Sequence, residues 1–531
     1  MTDLIIHGHF YQPPRENPWT GVIDREPSAT PFNDWNERVH AECYQPNAFT
    51  RTVDQTGTER VVNNYALLSF DFGPTLLSWI KRSHPATYAQ ILAADAESLV
   101  RNQGHGNAIA QAYNHAILPL ANERDRRTQV RWGLADFHYR FGRMPEAMWL
   151  PETACNDEVL GLLIEEGLRY VILAPQQAAR IRRTGGSPAC SNQTTPSSAN
   201  VSSDWQAVNA DNLDTGVAYN YLHRDGSGRT LAVFFYDQVL ARAIAFEQAL
   251  ASSATLVGRF LERRAATPNL INVATDGESY GHHHKFGELC LAYALTGDAP
   301  ANGFQVTNYG AYLAEHPAEW EVEIALGQHG EGSSWSCTHG VSRWIRDCGC
   351  ETGGAPGWNQ AWRGPLRQAL DWLRDEAAAA FAATSGELFL DPWQARDEAI
   401  GLILDEGKSR EEFLRRHAAR ALTRAEQHRA LSFLELQRFA LLMYTSCGWF
   451  FNDLAGIEPV QILKYAGRVI DLMDQLGLPP ARERFLAMLA EARSNRPELG
   501  NGADIYRRLV EPANPSFKAG EADPELTGSR R

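Results

Sequence analysis

Short apolar runs alternate with stretches of helical periodicity through roughly the first 325 residues, after which helical periodicity stands alone. Leu4 to Ile6, Ala147 to Leu150, Val171 to Leu173 and Leu270 to Ala274 are brief β-rich or apolar runs that predict buried strands. Between two of them, Val159, Leu160, Leu163, Ile164 and Leu168 recur at helical spacing behind Asn156 and Asp157, either of which can cap the helix. Strand, crossover helix and strand together predict a parallel sheet. Two β-rich runs around Asp225, Gly226 and Gly228 predict a hairpin or a further strand, closed by Tyr236 and Asp237. A Gly/Ser/Thr/Pro-rich stretch from Arg183 to Asp204 reads as a surface insertion. From about Trp358, segments such as LRQALDWLRDEAAAAFAAT and ILKYAGRVIDLMDQLG predict a helical bundle. The expected organisation is an α/β catalytic domain over 1–350, an α-helical domain over 351–500 and a disordered tail over 501–531.

The strand ends carry the chemistry. In parallel α/β sheets, reactive side chains collect where strands finish. Glu152 follows the run closed by Pro151, and Asp276 follows the run ending at Ala274. Two carboxylates from different strand ends suit glycosidic bond cleavage, one ionised as nucleophile and one protonated as acid, because like charges in proximity push their proton affinities apart. The alternative for Glu152 is a capping glutamate paired with an arginine. His7 and His9 leave the first strand on one face and suit either substrate binding or metal ligation. His115 lies in a polar cluster, His105 to His115, whose plainer reading is loop polarity. Among three consecutive histidines, His282 beside Gly281 is the favoured substrate contact, and Asp237 is a second-rank candidate with a structural ion pair as its alternative. Trp449, Phe450 and Phe451 suit either sugar stacking or, better, core filling.

Composition narrows the partners. The chain has 531 residues, 44% of them hydrophobic, enough for a sizeable core and more than one domain. A net charge of -14 without a long Lys/Arg run argues against nucleic acid and anionic membrane partners, which demand a basic face. No basic-then-apolar leader and no spanning stretch is apparent, which predicts a cytoplasmic protein. Eight cysteines are too sparse for a disulfide scaffold. Three of them gather with a histidine in SCTHGVSRWIRDCGC, where Cys337, His339, Cys348 and Cys350 suffice for a tetrahedral zinc, although C-x-H with C-x-C lacks the usual two-residue gaps. Small residues packing a loop, or a redox-sensitive Cys348–Cys350 pair, are the competing readings.

Several motifs, in order, resemble those of glycoside hydrolase family 57. HGHFYQPP at 7 to 14 is similar to its first motif, YNHAILPL at 113 to 120 to the segment whose histidine lies near the reactive sugar, and WLPETA at 149 to 154 to the nucleophile motif. DGESYGHH at 276 to 283 resembles the proton-donor motif. SSWSCTHG at 333 to 340 resembles the last motif only in Ser-Ser-Trp, with Cys337 and His339 departing from it. The resemblance covers about the first 350 residues. It implies a (β/α)7-type incomplete barrel ahead of the helical domain, and a retaining enzyme for α-linked glucans of amylase, 4-α-glucanotransferase or branching type, needing no cofactor. It further implies Glu152 as nucleophile, Asp276 as acid/base, and His7, His9, His115, Trp149 and Trp335 around the sugar. Two rivals are a metal-dependent hydrolase of deacetylase or amidohydrolase type using His7, His9 and Asp276, and a catalytically silent glucan-binding protein.

Overall fold

The computed structural model describes residues 1–54, 56–184 and 204–516; the predicted insertion lies outside these beyond Thr184, and so does the end of the predicted tail beyond Ser516. The chain forms two compact units, the first from Met1–Gln12 with Glu26–Val341, the second from Pro13–Arg25 with the chain from Ser342 onward.

The first unit is mixed α/β. Seven of its strands matter for the site: β1 (Thr2–Phe10), β2 (Ser69–Phe72), β3 (Ala110–Gln111), β4 (Met148–Trp149), β5 (Tyr170–Leu173), β6 (Thr230–Phe235) and β7 (Leu270–Asp276). β1 pairs in parallel with β7 on one side and β2 on the other, so His9 stands in register with both Asp276 and Asp71. A parallel bridge joins Phe70 to Ala108, β3 pairs with β4, Ala147 bridges to Tyr170, and β5 pairs with β6. The Asp237 N–H then donates to the Asn272 carbonyl at 2.8 Å, joining the end of β6 to β7. Every pairing in this run is parallel, so the carboxyl ends of all seven strands face the same way.

Local sequence explains the elements. The helix Asp157–Glu165 begins where Asn156 accepts the Val159 N–H, and it buries Leu160, Leu163 and Ile164. β5 is apolar on both faces, and β7 is buried on both as far as Thr275, its Asn272 satisfied by the Thr215 and Phe235 carbonyls. Trp149, Tyr170, Phe234, Leu270 and Tyr309 share one core. The hairpin expected around Gly226 is present: Ala218–Leu222 pairs antiparallel with β6, and the sheet extends through Trp320–Ile324 to Ala178–Arg183 and Gln206–Ala207.

The second unit is helical, its long members being Arg363–Thr384, Arg424–Leu442 and Ile457–Gln475. Trp449 is core here, 1% exposed, with Nε1 donating to the Arg363 carbonyl; Phe451 is the exposed member of its triplet. Two features depart from the sequence reading. Residues 13–25 belong to this unit: the Tyr465 hydroxyl donates to the Pro14 carbonyl (3.1 Å) and Trp19 Nε1 to Asp471 (2.6 Å). The predicted tail keeps helical turns through Gly502–Ile505 and Tyr506–Val510, because Asn501 caps the Ala503 and Asp504 N–H groups and Tyr506 buries against Phe485. No helix among the described residues is long and apolar enough to cross a membrane.

Candidate active site

Glu152 sits in a tight turn, Pro151–Thr153, directly after β4. Its φ of 59° and that of Thr153, 50°, place two consecutive non-glycine residues in the left-handed region, a strained arrangement of the kind that clusters at functional sites. The turn is held from outside. Trp335 donates its backbone N–H to the Glu152 carbonyl (3.0 Å) and its Nε1–H to Oε2 (2.9 Å), while Ser336 Oγ donates to the same Oε2 at 2.6 Å. With Oε2 fixed by two donors, Oε1 is the oxygen left for chemistry. Thr153 is fixed in turn by Gln177, which also bonds Ser333 and so ties the turn to the 333–336 segment.

Asp276 ends β7. Its carboxyl reaches water but is crowded by protein. That crowding pushes it up to about 6; His9 opposes the shift, and the Glu152 and Asp71 carboxylates add to it. The next residue must be glycine, since a Cβ on Gly277 would overlap the Phe10 ring. Glu278 then turns inward, accepting from the Tyr44 hydroxyl (2.6 Å) and the Tyr11 N–H (3.0 Å); burial raises it to about 7 against the pull of the Tyr44 bond.

A buried histidine relay lies beside the two carboxylates. Asp71, fully buried, accepts from His7 Nε2 at 3.1 Å through Oδ1 and from His9 Nδ1 at 2.9 Å through Oδ2. Ser69 Oγ donates to His7 Nδ1 (2.9 Å), and His9 Nε2 donates to His115 Nε2 (3.1 Å). Burial works against charge on His9, but Asp71, with Asp276 and Glu278 behind it, holds it up to about 9, so it is an imidazolium at neutral pH. His7 and His115 are pushed down by burial and stay neutral, the latter also repelled by His9. His115, like Glu152, adopts a left-handed backbone, φ 54°. Aromatic rings wall the relay: Tyr11 stacks on His115 with centroids 3.7 Å apart, and Trp149 lies stacked under both His7 and His9. Trp335 meets Trp149, His9 and Tyr236 edge-on.

The sequence-derived residues therefore sort into three groups. Glu152, Asp276, His7, His9, His115 and Trp335 are brought together. Trp149 and His7 are 0% exposed and His115 2%, so the tryptophan supports the histidines from beneath and none of the three offers a surface to a sugar. Asp237 is spent structurally, its Oδ1 capping the helix Gln238–Phe246 and its Oδ2 paired with Arg263 at 2.6 Å. His282 is held by Glu42 at 2.5 Å, with Trp35 edge-on. Asp71 escaped the sequence reading, its only signal being the phase of SFDF against a neighbouring strand, while Glu278 is evident there as one of the polar residues after Ala274 but without a role. The metal-hydrolase rival loses its ligands, because the ring nitrogens of His7 and His9 are committed to Asp71, Ser69 and His115.

The model of glycosyl hydrolase family 57 matches residues 9–322, and that of a domain of unknown function, DUF3536, matches 358–522. Alpha-amylase 1 of Dictyoglomus thermophilum is 22% identical over 155 residues, 29% of this chain and only 20% of that amylase's length. Among solved structures, an exo-type maltose-forming amylase from Pyrococcus sp. ST04 has a TM-score of 0.67 at 13% identity, covering 99% of this chain and 93% of its own. A GH57-type branching enzyme from Pyrococcus horikoshii has a TM-score of 0.52 at 13% identity, covering 97% of each chain. At such identities the structural likeness speaks for the fold.

Proposed function

The chain belongs to glycosyl hydrolase family 57, and on that premise we propose that it is a retaining enzyme of α-linked glucans, of amylase, 4-α-glucanotransferase or branching type, with Glu152 as nucleophile and Asp276 as acid/base. The observation that carries this reading is the pair of strand-end carboxylates in unlike settings: one gripped through a single oxygen by two donors, the other crowded and raised to about 6. In this mechanism Glu152 Oε1 attacks the anomeric carbon while Asp276 gives its proton to the departing glycosidic oxygen. Asp276, now ionised, then takes a proton from water or an acceptor sugar, and the ester at Glu152 is released. Trp335 and Ser336 fix the attacking carboxylate. His9, charged and backed by Asp71, places positive charge beside the acid/base and favours its ionised form as the proton leaves. His115, buried under Tyr11, accepts from His9 with its neutral ring and so orients that imidazolium, and Trp335 offers an apolar wall.

The same proposal includes an incomplete seven-stranded (β/α) barrel, supported by the parallel run from β1 through β7 and the β1–β7 pairing, with the helical unit as a second domain. The test is the product profile on maltooligosaccharides and amylose, run with Glu152→Gln and Asp276→Asn. Shortened or rearranged α-glucans that vanish in both variants support the reading. Unaltered substrate with wild-type protein, or product that persists in Glu152→Gln, overturns it.

A further inference from the structure

The motif SCTHGVSRWIRDCGC takes no part in the chemistry above, yet its four metal-type side chains converge. The ligand atoms of Cys337, His339, Cys348 and Cys350 all lie within 4.8 Å of one another, and Cys337 is buried while the other three are half-buried. We propose that these residues form a structural zinc site. All four come from a single fourteen-residue stretch, so local loop geometry assembles them. The Gly340 N–H closes a turn onto the Cys337 carbonyl (3.1 Å), and Ser334 Oγ donates to the Gly340 carbonyl (2.7 Å). Gly340 (φ 92°) and Gly349 (φ 75°) supply the left-handed backbone that folds each ligand pair back, at positions where a side chain would be strained.

The donor set selects the metal class. Three thiolates and one imidazole are soft-to-borderline ligands that favour zinc in tetrahedral geometry, and four protein donors leave no open position, which marks a structural rather than a catalytic site. Bonds of about 2.3 Å to sulfur and 2.0–2.1 Å to nitrogen put tetrahedral ligands roughly 3.5–3.8 Å apart, so the observed cluster contracts onto an ion by side-chain adjustment alone. Three thiolates with Zn²⁺ carry one net negative charge, and the surroundings answer it. Arg363, fully buried, donates Nη1 to the Cys350 carbonyl (3.0 Å) and lies within electrostatic reach of Cys348 and Cys350.

The site also has a consequence for the proposed catalysis, a step that rests on the glycosidase reading. Cys337 directly follows Ser336 in sequence, and Ser336 with Trp335 holds Glu152. A metal at Cys337 therefore anchors the segment that positions the nucleophile.

The experiment uses the full-length chain, purified without a metal-binding tag, with zinc as the probe. Elemental analysis is expected to find about one zinc per chain, and X-ray absorption at the zinc edge three sulfurs at about 2.3 Å and one nitrogen at about 2.0–2.1 Å. Cys348→Ser with Cys350→Ser should reduce the content more than tenfold, whereas Cys290→Ser should leave it unchanged. Should the double variant fail to fold, cobalt exchanged into wild-type protein should show the intense thiolate charge-transfer absorption of tetrahedral sulfur ligation. Zinc-free protein that takes up none on refolding with the metal, zinc retained by a folded double variant, or a disulfide among these cysteines in protein prepared under reducing conditions would overturn the site. None of these readouts depends on glycosidase activity, so the two proposals fail separately.

Discussion

Replacing Asp71 by Asn removes the negative charge that His7 and His9 share while keeping the side chain's size. In the wild-type protein His9 titrates at about 9 against 6.5 for an unperturbed imidazole, a difference of about 3 kcal/mol at 1.36 kcal/mol per pH unit. The folded-state value is the higher one, so the folded protein binds the extra proton. This stabilisation is complete below pH 6.5 and disappears as pH rises through 9. Two carboxyls with raised values, Asp276 at about 6 and Glu278 at about 7, also lose stability with rising pH, but their windows close near pH 7. Between pH 7 and 8, before the raised thiols of Cys43, Cys155 and Cys290 add a decline of their own, the remaining decline therefore belongs to His9, at up to about 1.4 kcal/mol per pH unit. Calorimetric midpoints across that range should fall by about 1–2 °C in the wild type and run nearly flat in Asp71→Asn, which starts lower because His9, buried without its partner, gives up the proton whose binding stabilised the fold, a loss of up to about 3 kcal/mol. NMR titration of the His9 ring supplies the direct readout. Equal pH slopes in the two proteins, or a His9 titration near 6.5 in the wild type, would refute the relay.

Three further outcomes follow from the same geometry. Since Asp276 must enter the reaction protonated, kcat/KM should drop on the alkaline side with a midpoint near 6, and the midpoint should move higher in Asp71→Asn, where a neutral His9 no longer opposes the shift, an effect larger than the loss of Asp71's own charge. Ser336→Ala removes a 2.6 Å bond to a carboxylate, worth about 1.5–3 kcal/mol, and should lower kcat by about ten- to a hundredfold with KM little changed and the thermal midpoint lowered by only about 1–3 °C, so that the protein stays folded under assay conditions. Gly277→Ala forces Phe10 to move and should lower the thermal midpoint, with the activity loss tracking the fraction unfolded if packing alone is affected.

The strands that carry the site were legible because each holds a short apolar run, and Glu152, Asp276, His7 and His9 could be placed by following each run to its end. What the sequence concealed was pairing. Asp71 matters because β2 lies beside β1 in a register that sets it next to His9, and one chain alone does not state that register. Asp237 misled for the opposite reason: it satisfies the strand-end rule and is also the residue type that caps helices, and the cap with Arg263 claimed both oxygens. Trp149 stands in a motif with Glu152, but the alternation of the strand turns it inward, away from the surface the glutamate faces. At the far end, the Pro, Gly and charge content of the last thirty residues predicts disorder, yet Asn501 caps a helical turn there.

The excursion of residues 13–25 into the helical unit has a genetic consequence. The chain crosses between the units three times, after Gln12, after Arg25 and after Val341. A gene truncated at the last crossing would still encode Pro14 and Trp19 while lacking Tyr465 and Asp471, to which they are bonded. The helical unit is thus no detachable appendage, and a recombination event that moved it to another protein would leave part of its own packing behind.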